Sequence, residues 1–184
     1  MARIPSNMLP LGTALPTVEL PDGTGDLHKI TDNISTNGLL VMFICNHCPF
    51  VVHIADFLAP LAHQLAQKGI GCVAISSNDV AAYPQDAPDK MVAFAALHDF
   101  PFPYLYDEDQ SVAKAFDAAC TPDFYLFDNN QKLVYRGQMD DSRPGNDAPV
   151  DGRDLLAAAD ALAQQQPIPT LQKPSLGCNI KWRE

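Results

Sequence analysis

The chain has 184 residues, with 12 Lys plus Arg against 22 Asp plus Glu and a formal net charge of −10. At 47% hydrophobic and 18% charged it is a folding chain, with room for one domain whose core needs no disulfide staples. Basic residues this scarce, and spread without a cluster, exclude nucleic acid and an anionic membrane surface as partners, since both recruit Lys and Arg.

The lead-in, from Gly12 to Gly38, is rich in turns, with an edge strand over Pro16–Leu20 and a turn at Asp22-Gly23. Leu39 to Ile44 is an unbroken apolar run, which reads as a strand buried on both faces and ending at Cys45. From Pro49 to Lys68 the apolar residues Val51, Ile54, Leu58, Leu61 and Leu65 recur at helical spacing. Pro49 suits the first turn, Pro60 is expected to bend the helix, and Gly69 is a natural stop. Ile70–Ser76 is a second buried strand, followed by a helix over Asp89–His98 opened by Pro88. A strand at Phe102–Tyr106 and a short helix at Gln110–Phe116 come next. Strands Phe124–Phe127 and Leu133–Arg136 flank the hairpin signal Asp128-Asn129-Asn130-Gln131, and Asp151–Gln165 is a final amphipathic helix. This order predicts one α/β domain over residues 1–166, with a mixed central sheet flanked by helices, and an irregular tail over 167–184 packed on it. The 19 Asp, against three Glu, and the 16 Pro agree with many short elements and argue against a helical bundle. No apolar stretch is long enough to span a membrane. Met1–Pro10 lacks the apolar segment of a signal peptide, so the cytoplasm is the expected location.

Five cysteines in a reducing compartment are not expected to form a static framework. Cys45-Asn46-His47-Cys48 has the spacing of a zinc half-site or of a redox dithiol. A structural zinc site wants a second close pair, and Cys72, Cys120 and Cys178 stand alone. The motif also lies between a buried strand and a helix start, where free N–H groups stabilise a thiolate. Cys45 is therefore the expected attacking thiolate, Cys48 the resolving thiol, and His47 a source of positive charge when protonated. Thr121-Pro122, at the opening of a strand, is a candidate cis peptide.

Strand, Cys-X-X-Cys, helix, Thr121-Pro122 and a closing hairpin together resemble the thioredoxin fold. The lead-in from Gly12 to Gly23 and the strand–helix insertion from Pro103 to Phe116 resemble the redoxin (AhpC/TSA) branch. Cys45 to Val51, Cys120 to Asp128, Asp140 to Gly145 and Pro174 to Trp182 resemble peroxiredoxin-like thioredoxin-family proteins over nearly the whole chain. The resemblance implies a thioredoxin-like fold with an N-terminal extension, the inserted strand–helix and a C-terminal tail. It also implies a thiol–disulfide oxidoreductase or antioxidant protein, with Pro122 against the dithiol and Thr121 offering backbone bonds to a substrate.

The chain departs from the peroxidase pattern Pro-x-x-x-Thr-x-x-Cys. Aligned on Cys48, Val41 replaces the Pro and Cys45 replaces the Thr, and Thr121-Pro122-Asp123 occupies the region where an Arg is expected. Arg136 and Arg143 are the available substitutes. The chain departs from thioredoxin in Ile44 and in the central Asn46-His47 pair, which predicts a potential less reducing than thioredoxin's.

The expected function is therefore exchange of a Cys45–Cys48 dithiol with protein or low-molecular-weight thiols and disulfides, with no cofactor and no resident metal. One rival is a peroxidase using Cys48. Another is a zinc- or copper-binding module using Cys45 and Cys48 with His47, Cys120 or Cys178. Cys120 and Cys178 are auxiliary-thiol candidates, Cys72 reads as core, and Trp182 is the expected anchor of the tail. The four other histidines are scattered, Asp56 is expected to be exposed, and Asp140–Arg143 reads as a solvated turn. The substrate and the oligomeric state have no signature in the chain.

Overall fold

The computed structural model describes residues 3–184. The uncharged run Gly38–Phe43 forms β4, buried at every position, at the centre of the main sheet. The earlier strands are short: β1 is Arg3–Pro5, β2 Glu19–Pro21 and β3 Leu27–Lys29. Helix α1 is Pro49–Gln67, β5 Ile70–Ser76, α2 Pro88–Leu97, β6 Tyr104–Tyr106 and α3 Ser111–Ala115. Next come β7 at Cys120–Thr121, β8 at Asp123–Asp128, β9 at Leu133–Gly137, α4 at Arg153–Ala163 and β10 at Leu176–Asn179.

The main sheet has five strands in the order β6-β5-β4-β8-β9. Strand β4 pairs in parallel with β5, placing Phe43 beside Ile75, and antiparallel with β8, placing Phe43 beside Asp123. The sheet is thus mixed, as expected. Side-chain alternation along β4 divides the core. Leu40 and Met42, continued by Ile44, pack with Val51, Ile54, Leu58, Leu61 and Leu65 of α1, Met91 of α2 and Leu155 of α4. Leu39, Val41 and Phe43 pack on the other face with Val112 of α3, Phe116, and Leu9, Leu15 and Leu20 of the lead-in. Each buried side chain of this kind contributes roughly 1.5–3 kcal/mol, so β4 is the most strongly held strand. Its C-terminal end is where the cysteine motif begins.

Helix α1 opens on Pro49, as its missing N–H permits, and runs through Pro60. It stops before Gly69, whose φ of +68° suits glycine. The hairpin after β8 is held by Asp128, whose Oδ1 accepts the N–H of Asn130 and of Lys132.

Several expectations need correction. The edge strand expected over Pro16–Leu20 is β2 at Glu19–Pro21, and it pairs with β3 across a turn braced by Asp22 Oδ1. The tail is not wholly irregular. β10 lies between β1 and β7 in a three-stranded sheet, with Cys178 opposite both Arg3 and Thr121. Trp182 does not anchor it, being 42% exposed; Cys178, Ile180 and Lys181 are the buried residues. Asp140 is not solvated. It is buried and accepts from the Ser142 N–H and Oγ and from the Asp151 and Gly152 N–H groups, tying its loop to the start of α4. Asp56 is exposed as expected and pairs with His98.

Candidate active site

Cys45 and Cys48 occupy the turn between β4 and α1, and Cys48 is the N-cap of the helix. Both are buried free thiols. The Cys48 carbonyl accepts the N–H groups of Val51 and Val52, so the helix starts directly at this residue. The Thr121–Pro122 peptide is cis. Thr121 meets both cysteines: its Oγ1 lies 3.5 Å from Cys45 Sγ, and its carbonyl accepts from the Cys48 thiol at 3.3 Å. Residues about 75 positions apart in the chain are thus joined by the β4–β8 pairing, which sets Pro122 and Asp123 beside the end of β4.

The tail adds a third sulfur. Gly177, next to Cys178, allows the approach: a Cβ there would lie 2.0 Å from the Thr121 carbonyl oxygen. The β10–β7 register sets Cys178 across from Thr121, where its thiol bears on the electrostatics of Cys48. Cys120 is close in sequence but differently placed. It is fully buried, its thiol faces the Pro122 carbonyl, and burial and then Asp123 push it far above the ordinary thiol range. Cys72 is core, as expected, with burial pushing its thiol up to about 12.

The two motif cysteines differ electrostatically. Cys48 is held below the ordinary thiol range, first by the neighbouring Cys45 thiol, then by Cys178, Thr121 and the backbone of Val51; burial opposes them. Its bond to the Thr121 carbonyl favours the neutral thiol and opposes them too. Cys45 is pushed well up, first by its bond to Cys48, then by burial and by the negative charge of Asp86. These influences favour a thiolate on Cys48 over one on Cys45. The physical reason is local: Cys48, not Cys45, sits at the helix N-terminus, and a buried carboxylate faces Cys45. Cys178 in turn is pushed up to about 12, by burial and by its bond to Cys48.

That carboxylate, Asp86, was missed in the sequence. It ends a single helical turn, Pro84–Asp86, before α2. Its Oδ1 accepts the N–H of Asn46 at 2.8 Å and of His47 at 3.2 Å. Its Oδ2 accepts from Asn78 Nδ2 at 2.8 Å and faces His47 Nδ1 at 2.6 Å. Tyr104 completes the frame by donating to Asn46 Oδ1. The only sequence hint was an Asp just ahead of a Pro-initiated helix, and such residues are common in loops.

Cys45, His47 and Asp86 offer ligand atoms within 4.8 Å of one another, the arrangement nearest to a metal site among the described residues. Both Asp86 oxygens already carry hydrogen bonds, so a cation would have to displace protein donors. The two arginines named as peroxide-site substitutes are hydrogen-bonded within the protein, although Arg143 lines a cavity together with Pro122. Arg136 bonds the Leu9 carbonyl and Gln172. Arg143 bonds Gln138 and the carbonyls of Asp140 and Ser142.

The described residues include no helix long and apolar enough to cross a membrane. Comparison with solved structures places the chain beside an uncharacterized conserved protein from Geobacillus kaustophilus. The two are 52% identical, with a TM-score of 0.96, over 100% of this chain and 97% of that one. A hypothetical protein from Sinorhizobium meliloti 1021 is 47% identical, with a TM-score of 0.94, over 97% of this chain and 98% of that one. Peroxidoxin BcpB from Mycobacterium tuberculosis, 20% identical with a TM-score of 0.63 over 84% of this chain and 96% of that one, shares the fold. No curated protein matches the chain. The AhpC/TSA family model matches residues 11–136, a span that runs from the lead-in through both cysteines and Thr121-Pro122 into β9. Two adjoining thiols within that span give the chain a general thiol–disulfide redox function. The chain belongs to the AhpC/TSA family and is an oxidoreductase.

Proposed function

We propose that this protein exchanges a Cys45–Cys48 dithiol with disulfides of proteins or of small thiols, and that Cys48 makes the first attack. The observation that carries this reading is the asymmetry of the pair: Cys48 caps the start of α1 and is lowered in pKa, while the buried Asp86 faces Cys45 and helps raise it. The Cys48 thiolate attacks a substrate disulfide, RSSR, forming Cys48–S–S–R and releasing RS⁻, which takes a proton from water. Cys45 then loses its proton and attacks the Cys48 sulfur, closing the Cys45–Cys48 bond and expelling the second RS⁻. Thr121 offers its hydroxyl and Pro122 its ring along this edge. Of the auxiliary candidates, Cys178 has the placement to take part, and Cys120 does not.

A thiolate stabilised in the dithiol form makes the disulfide more oxidising. Equilibrating the protein with mixtures of reduced and oxidised glutathione, and counting Cys45–Cys48 disulfide by mass, tests both points. The expected result is one intramolecular disulfide with a potential above thioredoxin's, which is about −270 mV. A potential at or below that value contradicts the thiolate assignment. Consumption of hydrogen peroxide with no exchange against glutathione would favour the Cys48 peroxidase instead.

A further inference from the structure

Asp86 does more than hold a turn. It is fully buried, and a buried carboxylate is costly unless paired and hydrogen-bonded. Bonds to the Asn46 and His47 backbone would need only one oxygen, which an amide could supply equally well. The second oxygen is directed to Asn78 and to the His47 ring. With Asp86 accepting the Nδ1 proton, the neutral ring carries its lone pair on Nε2. That atom is buried and has no partner. The ring is kept in place by stacking on Tyr83, at 5.4 Å and 11°. Cys45 Sγ, a His47 ring nitrogen and an Asp86 oxygen lie within 4.8 Å of one another. The other titratable groups around them are Cys48, Tyr83, Tyr104 and Lys181. Tyr104 is bonded to Asn46, and Lys181 is bonded to Asn179 while lying 5.6 Å from the Tyr83 ring. None of them makes a hydrogen bond to the His47 ring.

We propose that His47 is the acid–base group for Cys45 and that Asp86 is its positioning residue. The inference rests on the exchange reading above and supplies the step that reading leaves open, namely where the Cys45 proton goes. When the Cys48–S–S–R bond has formed, Cys45 passes its proton to the His47 imidazole, and Asp86 stabilises the imidazolium. The Cys45 sulfur forms its bond to Cys48 as the Cys48–SR bond breaks, and the departing RS⁻ leaves as RSH with that proton. In the reverse direction the pair returns a proton to Cys45 as the internal disulfide opens. This arrangement uses a carboxylate that disfavours a free Cys45 thiolate to favour the proton's transfer onto the neighbouring ring.

The test follows the lifetime of the protein–glutathione adduct after reduced protein is mixed with oxidised glutathione. Samples are acid-quenched and weighed by mass spectrometry across a pH series. A Cys178→Ala background ensures that only Cys45 resolves the adduct. His47→Gln leaves every other Asp86 bond in place, and Asp86→Asn keeps an oxygen for the backbone donors. Each substitution is expected to lengthen the adduct lifetime about tenfold or more near pH 7, with the difference closing toward about pH 9 as hydroxide takes over the proton. Equal lifetimes at every pH would overturn the proposal. So would a lengthening by the same factor at every pH, which marks a purely structural role. A reference protein that forms neither adduct nor internal disulfide would instead defeat the exchange reading itself.

Discussion

Cys45 and Cys48 are three positions apart, yet their surroundings send them in opposite directions. Cys48 is lowered by Cys45, Cys178, Thr121 and the first turn of α1, whereas Cys45 is raised by its bond to Cys48, by burial and by Asp86. Charge placement at single residues, rather than the Cys-X-X-Cys spacing, therefore separates the two sulfurs. Asp123 beside the same edge shows the rule on a carboxyl. Its Oδ2 accepts from the Tyr125 hydroxyl at 2.8 Å, but complete burial prevails and pushes the acid from 3.8 up to about 7. The sign follows from proton counting. Between these two values the folded chain holds a proton that the unfolded chain has lost, so stability falls as pH rises through that window and levels off above it. The shift is about three units, equivalent to about 4 kcal/mol at most. Denaturant unfolding of the wild type is expected to weaken from about pH 4 to about pH 7 relative to Asp123→Asn. Parallel pH profiles for the two proteins would show that Asp123 ionises as freely folded as unfolded.

At the scale of elements, the site is a junction of four pieces. The end of β4 and the start of α1 supply the cysteines, the Thr121-Pro122 step supplies the opposing edge, the turn before α2 supplies Asp86, and β10 supplies Cys178. The tail strand is the least expected of these. Four residues would make a weak strand alone, but β10 is paired on both sides, by β1 and β7. Its fit depends on Gly177, where an added methyl would meet the Thr121 carbonyl oxygen. Gly177→Ala is expected to cost about 1–3 kcal/mol in unfolding free energy through overpacking. It is also expected to move the Cys48 thiolate titration, read by absorbance near 240 nm, upward as the Cys178 donor is displaced. Unchanged stability together with an unchanged titration would show that β10 does not press on the site.

At the scale of the molecule, the parts legible in the sequence are those encoded by local pattern. Leu39–Ile44 announced the central strand, Pro49 and the spacing of Val51 to Leu65 announced α1, and Asp128–Gln131 announced the hairpin. The cysteine pair and Thr121-Pro122 were legible because residue type and place in the element order coincide. Asp86 was not, because it acts across 39 and 40 positions of chain and its own neighbourhood looks like an ordinary turn. Asp140 was misread for the same reason: its four donors come from its own loop and from the start of α4. Cys178 and β10 need the folded β7 edge before they have a partner at all. The five cysteines consequently divide into the Cys45–Cys48 pair, Cys178 beside it, and two packed thiols, Cys72 and Cys120. The central claim is that Cys48 opens the exchange and Cys45 closes it. The most direct test compares Cys45→Ser and Cys48→Ser, each in the Cys178→Ala background, for a lasting adduct with oxidised glutathione near neutral pH. A stable adduct on Cys48 is expected in the Cys45→Ser protein and little or none in the Cys48→Ser protein. A stable adduct on Cys45 with Cys48 absent, and none in the reverse case, would contradict the claim.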